Sequence, residues 1–151
     1  MLSPMKTLFV LLALVAGAFM PIQAGVNSRL RFMIGDPISA AMISFAVGTL
    51  GLAAYVIALR RPWPDSALFS AAPWWLWTGG LMGAFFVAAS VILAPRLGAA
   101  AMMAWLIAGQ LTASVFLDHF GLVGFALREA SPMRMLGAGL LVVGAVLVQR
   151  F

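Results

Sequence analysis

The sequence contains no cysteine, one histidine and only four acidic residues, and Lys6 is its one lysine. Without cysteine there are no disulfides, thiolate metal sites or cysteine nucleophiles, and the redox compartment is left open. His119 has only Asp118 beside it, so a metal would find no second nitrogen or sulfur ligand. A hydrolytic triad would also need a spaced serine and acid around that histidine. A phosphate-binding loop ends a glycine-rich turn in lysine, and Lys6 follows no such turn. The chain is therefore expected to be no enzyme, to hold no metal or cofactor, and to draw no energy from ATP.

What is abundant is apolar. Hydrophobic residues make up 64% of the 151 and charged residues 9%, whereas a soluble domain has about 45–50% apolar residues with glycine included and about 25% charged. Lipid is the solvent this composition fits. The net charge of +5 comes from positive residues standing singly or in pairs at the ends of apolar runs. That is how a membrane protein uses them, and without a basic run or a basic patch interleaved with aromatics a nucleic-acid partner is not expected.

Uncharged runs cover residues 7–28, 37–59, 66–95, 97–117 and 135–149. A hydrocarbon layer of about 30 Å takes roughly 20 helical residues to cross. Four runs meet this. The fifth is about 22 Å of helix, but Arg134 and Arg150 bracket it and can extend their charged heads to the two interfaces. The expected fold is an all-α integral membrane protein, one membrane domain over 1–151 with spans at about 5–31, 37–59, 73–95, 99–119 and 133–150. Lys6 followed by an apolar stretch and Ile22-Gln23-Ala24 resembles a secretory signal. The bulk of Ile22 three residues before the cut argues against cleavage.

Prolines and caps mark the boundaries. Pro21 removes a backbone donor inside the first span and frees the Gly17 carbonyl, so a break is expected there. Asp36-Pro37 and Ser131-Pro132 each place an N-cap before a proline at the first helical position. Pro62 and Pro64 are expected to keep 60–72 irregular. Trp74, Trp75 and Trp77 read as an interfacial aromatic belt, Pro95-Arg96-Leu97-Gly98 as a turn, and 120–127 as an apolar connector too short to span.

With five spans, Lys6, Arg60, Arg61, Arg128 and Arg134 fall on one side of the membrane, and Arg29, Arg31, Arg96 and Arg150 on the other. Orientation follows the excess of such residues on the cytoplasmic side, and five against four is almost none. Insertion in both orientations, and an antiparallel homodimer, would follow. A chain oriented weakly with its N-terminus inside is the plainer alternative.

Polar groups inside spans are costly in lipid and so usually face protein or a cavity. Gln23 and Asn27 lie four apart on the first span. Gln110, Ser114 and Asp118 repeat at four-residue steps on the fourth, sharing a face. Amides and a hydroxyl supply donors and acceptors, so Gln23, Asn27, Gln110 and Ser114 are candidate substrate-binding residues, against the alternative that they only hydrogen-bond between helices as packing. Asp118, with His119, is the candidate for proton or cation coupling, against a solvated charge at a helix end. Gly137, Gly139 and Gly144 would let the fifth span approach a neighbour closely, making it the candidate dimer seam.

Pro21-Ile-Gln-Ala-Gly-Val-Asn27-Ser-Arg-Leu and Gly109-Gln-Leu-Thr-Ala-Ser114-Val-Phe-Leu-Asp118-His-Phe-Gly121 resemble the YdcZ-like family of the drug/metabolite transporter superfamily. The Ala94-Pro95-Arg-Leu97-Gly98 turn and the segment from Gly139 to Leu147 are similar to that superfamily more widely. The resemblance implies a five-span protein of the inner (plasma) membrane, found as single dual-topology genes, as paired genes of opposite orientation, or as fused chains. It implies a ten-helix inverted-repeat transporter assembled from two antiparallel copies, or from this chain and a related five-span partner. The membrane-embedded glutamate of the small multidrug resistance transporters, distant relatives, has no counterpart in the first span here. The function expected is secondary transport of a small metabolite by alternating access; a passive dual-topology channel and a non-transporting subunit of a partner complex are the alternatives.

Overall fold

The computed structural model describes residues 3–151. Among them there is no strand, and five helical stretches are long and apolar enough to cross a membrane. The helices are α1 (Pro4–Ile34), α2 (Pro37–Ala58), a short α3 (Ser66–Ala71), α4 (Gly79–Leu97), α5 (Ala99–Phe120) and α6 (Pro132–Arg150). A 3-10 stretch over Trp74–Thr78 leads into α4 and completes the third span. Large apolar side chains are exposed along every span, which is the face lipid covers.

Several boundaries differ from the sequence expectations. α1 extends past the expected ends, to Pro4 and Ile34, and runs continuously through Pro21, which lies in its interior as the expected span had it. A proline inside a membrane helix removes one N–H, and the hydrogen bonds on either side carry the helix past it. Residues 60–72 are not wholly irregular: the Asp65 carboxylate accepts from the Ala67 N–H at 3.1 Å and starts α3. Pro95 and Arg96 do not form the expected turn but continue α4 to Leu97. The turn is made by Gly98 alone, at φ +78°, where a side chain would be strained.

The chain falls into two compact units, Met1–Ile92 and Leu93–Phe151. In the first, α1 packs on α2 across a connection of two residues, Gly35 and Asp36. The Asp36 carboxylate accepts from the Ser39 N–H at 2.6 Å, capping α2. Ala40 and Ala41 of α2 form a small core with Val87 and Val91 of α4, and Leu30, Phe86 and Ala88 pack around it. A Cβ on Gly83 would lie 3.4 Å from the Phe45 ring, so this glycine marks where α4 meets α2 closely.

In the second unit α5 packs on α6. Met102, Ala108, Val115 and Ala145 are its buried side chains together with Ala101. α5 ends at Gly121 (φ +60°), the left-handed position at which helices commonly stop. Ser131 caps α6 through its hydroxyl, with Pro132 in the first turn.

Candidate functional site

On α1, Ala24, Asn27, Ser28 and Arg31 recur at three- and four-residue steps and share one face. The first three are buried and Arg31 is half-buried. Asn27 is 4% exposed, and its amide Nδ2 has no hydrogen-bond partner among the described residues. A buried donor left unmade costs about 1–3 kcal/mol, so this amide is held at a cost that packing alone does not explain. Gln23, one turn earlier, is exposed.

Arg31 reaches from α1 to α4, where its Nη1 donates to the Val91 carbonyl at 3.2 Å. In a regular α-helix that carbonyl would accept from the N–H four residues on. Here that residue is Pro95, which has no N–H to give. The guanidinium thus occupies the acceptor that proline leaves open. Beside it Ser90 is buried and donates to the Phe86 carbonyl at 2.7 Å, and the guanidinium carbon lies 5.7 Å from the Phe32 ring centre. Sequence reading missed Arg31 as a site residue, although the proline rule applied to Pro21 and Gly17 also predicts a free carbonyl at Val91 once Pro95 is placed inside a helix.

Among the nine Lys and Arg residues, only Arg31 and Arg134 are half-buried; the rest are exposed. Arg134 forms an ion pair with Asp118. Arg31 has no carboxylate partner among the described residues. Asp36 and Asp65 are engaged as caps, and Glu129 is exposed. Hydrogen bonds from Ser39, side chain first and then backbone N–H, hold the Asp36 carboxyl below the usual carboxylate range.

In the second unit Gln110 and Ser114 are exposed on α5, and Asp118 lies two turns beyond Gln110. Asp118 and His119 stitch the α5–α6 connector. Besides the ion pair, Arg134 donates to the Arg128 carbonyl at 2.9 Å and the Glu129 carbonyl at 3.3 Å. The Arg128 N–H donates to the Asp118 carbonyl at 2.8 Å, and the Ala130 N–H donates to His119 Nδ1 at 3.2 Å. His119 Nδ1 is thus the acceptor in this contact. Trp105 Nε1 donates to the Gln149 side chain.

A Cβ at Gly137, Gly139 or Gly144 would meet nothing within 4 Å among the described residues, so these glycines serve no close contact within their own unit. An open apolar groove of ≈ 680 Å³ on α5 is floored by Ala108, Gly109 and Ala113 between Trp105 and Phe116. A second groove, ≈ 510 Å³, lies between α2 and α4 around Met42 and Phe85. Neither is lined by Gln23, Asn27, Gln110 or Ser114. No group of three His, Asp or Glu able to hold a metal occurs among the described residues.

Five apolar spans, the first carrying a buried amide without a partner among the described residues, define a multi-span integral membrane protein. The family described as "Putative inner membrane exporter, YdcZ" matches residues 8–147, and the chain belongs to it. It is similar to the inner membrane protein YdcZ of Escherichia coli (strain K12), at 45% identity over 84 residues, 55% of this chain and 55% of that one. The matched stretch thus spans about half the length of that curated relative. No solved structure matches the chain. The protein is accordingly an inner-membrane protein, and its family is one described as an exporter family rather than an enzyme family.

Proposed function

We propose that the chain is one half of a secondary transporter, moving a small polar or amphipathic metabolite by alternating access in an antiparallel dimer. The observation that carries this reading is Asn27: a donor buried in a membrane span without a partner, in a chain of an exporter family. Gln23 and Asn27 of one copy and Gln110 and Ser114 of the opposed copy line the site in this reading, supplying hydrogen bonds that select a solute by its polar groups. The near-even charge on the two sides supports two-way insertion, since little in the chain favours either orientation. The open glycine face of α6 supports a seam with a second copy or a related five-span chain.

Asp118 and His119 are the coupling pair in this reading. A proton on Asp118 would release Arg134, and a proton on His119 Nδ1 would turn the acceptor of the Ala130 N–H into a donor. Either event loosens the α5–α6 connector. The binding assignment is tested by flux of a solute that wild-type proteoliposomes move, measured again with Gln23→Leu and Gln110→Leu. The expected result is flux lost in protein that still folds and inserts. Unchanged flux in both variants overturns the assignment.

A further inference from the structure

Resting on that transport reading, we propose that Arg31 and Asn27 form an oxyanion site, so that the ligand of this face carries a carboxylate or phosphate. Arg31 is the one half-buried cation of the described residues without an acid to neutralise it, because Asp118 is taken by Arg134. A guanidinium has five N–H donors, and of these one is placed on the Val91 carbonyl. That bond fixes the group's direction and leaves the other donors open. Asn27, one turn earlier on the same face, presents a buried amide N–H with no acceptor.

Charge completes the case. No acidic residue occurs on α1, so nothing on that helix competes with a bound anion. A charge removed from water without a counter-ion is costly, and an oxyanion spanning the guanidinium and the amide would relieve both deficits through charge-assisted hydrogen bonds. Asn27 lies about 10 Å along the axis from the end of α1, and its amide nitrogen is closed to solvent in this conformation, so a solute entering from that side, or a phospholipid headgroup, meets it when the helices covering it part, as alternating access requires. The chemistry is the same for both sources.

The purified full chain is reconstituted in phosphatidylcholine nanodiscs, and its thermal unfolding midpoint is followed against benzoate, benzamide and benzylamine. A parallel set of discs contains phosphatidylglycerol. Variants are Arg31→Lys, Asn27→Leu, and Arg31→Gln combined with Pro95→Ala. In the last, the restored residue-95 N–H takes over the Val91 carbonyl, so the fold keeps that bond while the charge is gone. Lys6→Gln is the control for surface charge.

The expected result is a rise in midpoint with benzoate but not with its neutral or cationic counterparts. The apparent affinity should fall about tenfold to a hundredfold in Arg31→Gln/Pro95→Ala, fall less in Arg31→Lys, and hold in Lys6→Gln. If phosphatidylglycerol raises the midpoint in an Arg31-dependent way and benzoate then adds nothing, the oxyanion is a lipid headgroup. The proposal is overturned if neither anion acts, or if both act equally on the variant lacking Arg31. Binding is read here without flux. Arg31-dependent binding with no flux of any solute would therefore reject transport and keep the site, while flux without anion binding would do the reverse.

Discussion

At the scale of single residues, the proposed binding role of Asn27 sets function against stability. Leucine has nearly the same shape and no donor to leave unmade. Asn27→Leu should therefore raise the thermal unfolding midpoint, by the equivalent of about 1–3 kcal/mol, while abolishing transport. A lowered midpoint with transport intact would reverse the assignment. Asp118 makes the opposite case, because its carboxylate is already paired. Asp118→Asn should remove dependence on a proton gradient and spare counterflow. Its stability cost should stay within about 1 kcal/mol, since both partners are partly open to solvent.

Residue type and spacing picked out Gln23, Asn27, Gln110, Ser114 and Asp118, because polar groups stand out in an apolar run. Which of them are buried depends on what packs across from each helix, and one chain's periodicity does not state that. Asn27 is buried while Gln23, one turn away, is exposed.

At the scale of elements, the long helices were legible because an uncharged run of membrane-crossing length has few other structures open to it. Less legible were the places where proline has two readings. Pro95 can end a helix or sit in its last turn, and the second holds because Arg31 fills the acceptor that proline leaves. This predicts coupling between the two positions. Arg31→Met should destabilise the wild-type chain and cost distinctly less beside Pro95→Ala, with a coupling energy of about 0.5–3 kcal/mol in a thermal-unfolding double-mutant cycle. Additive effects would mean that the contact carries no weight.

The cap of α2 has an acid limb of its own. Because folding lowers the pKa of Asp36, the carboxylate stabilises the fold fully above its unfolded value of about 3.9. That contribution is lost as pH falls through the lower folded value. Asp36→Asn should remove this acid-side loss of helix content and leave neutral pH nearly unchanged, as an asparagine caps about as well. Circular dichroism between about pH 6 and about pH 2 reads the difference.

At the scale of the whole molecule, the proposed seam on the glycines of α6 allows folding and assembly to be tested apart. Gly139 is open within the chain, so Gly139→Leu should leave the helix content and insertion of one copy unchanged while reducing cross-linking between copies. Cross-linking at the wild-type level would place the seam elsewhere. The central claim is that one sequence inserts in both orientations and pairs with itself upside down. The most direct measurement is a pair of fusions after Phe151, one to a phosphatase active only outside the cytoplasm and one to a fluorophore that matures only inside. The account predicts that both reporters are active; activity of only one would contradict it and withdraw the self-paired antiparallel dimer.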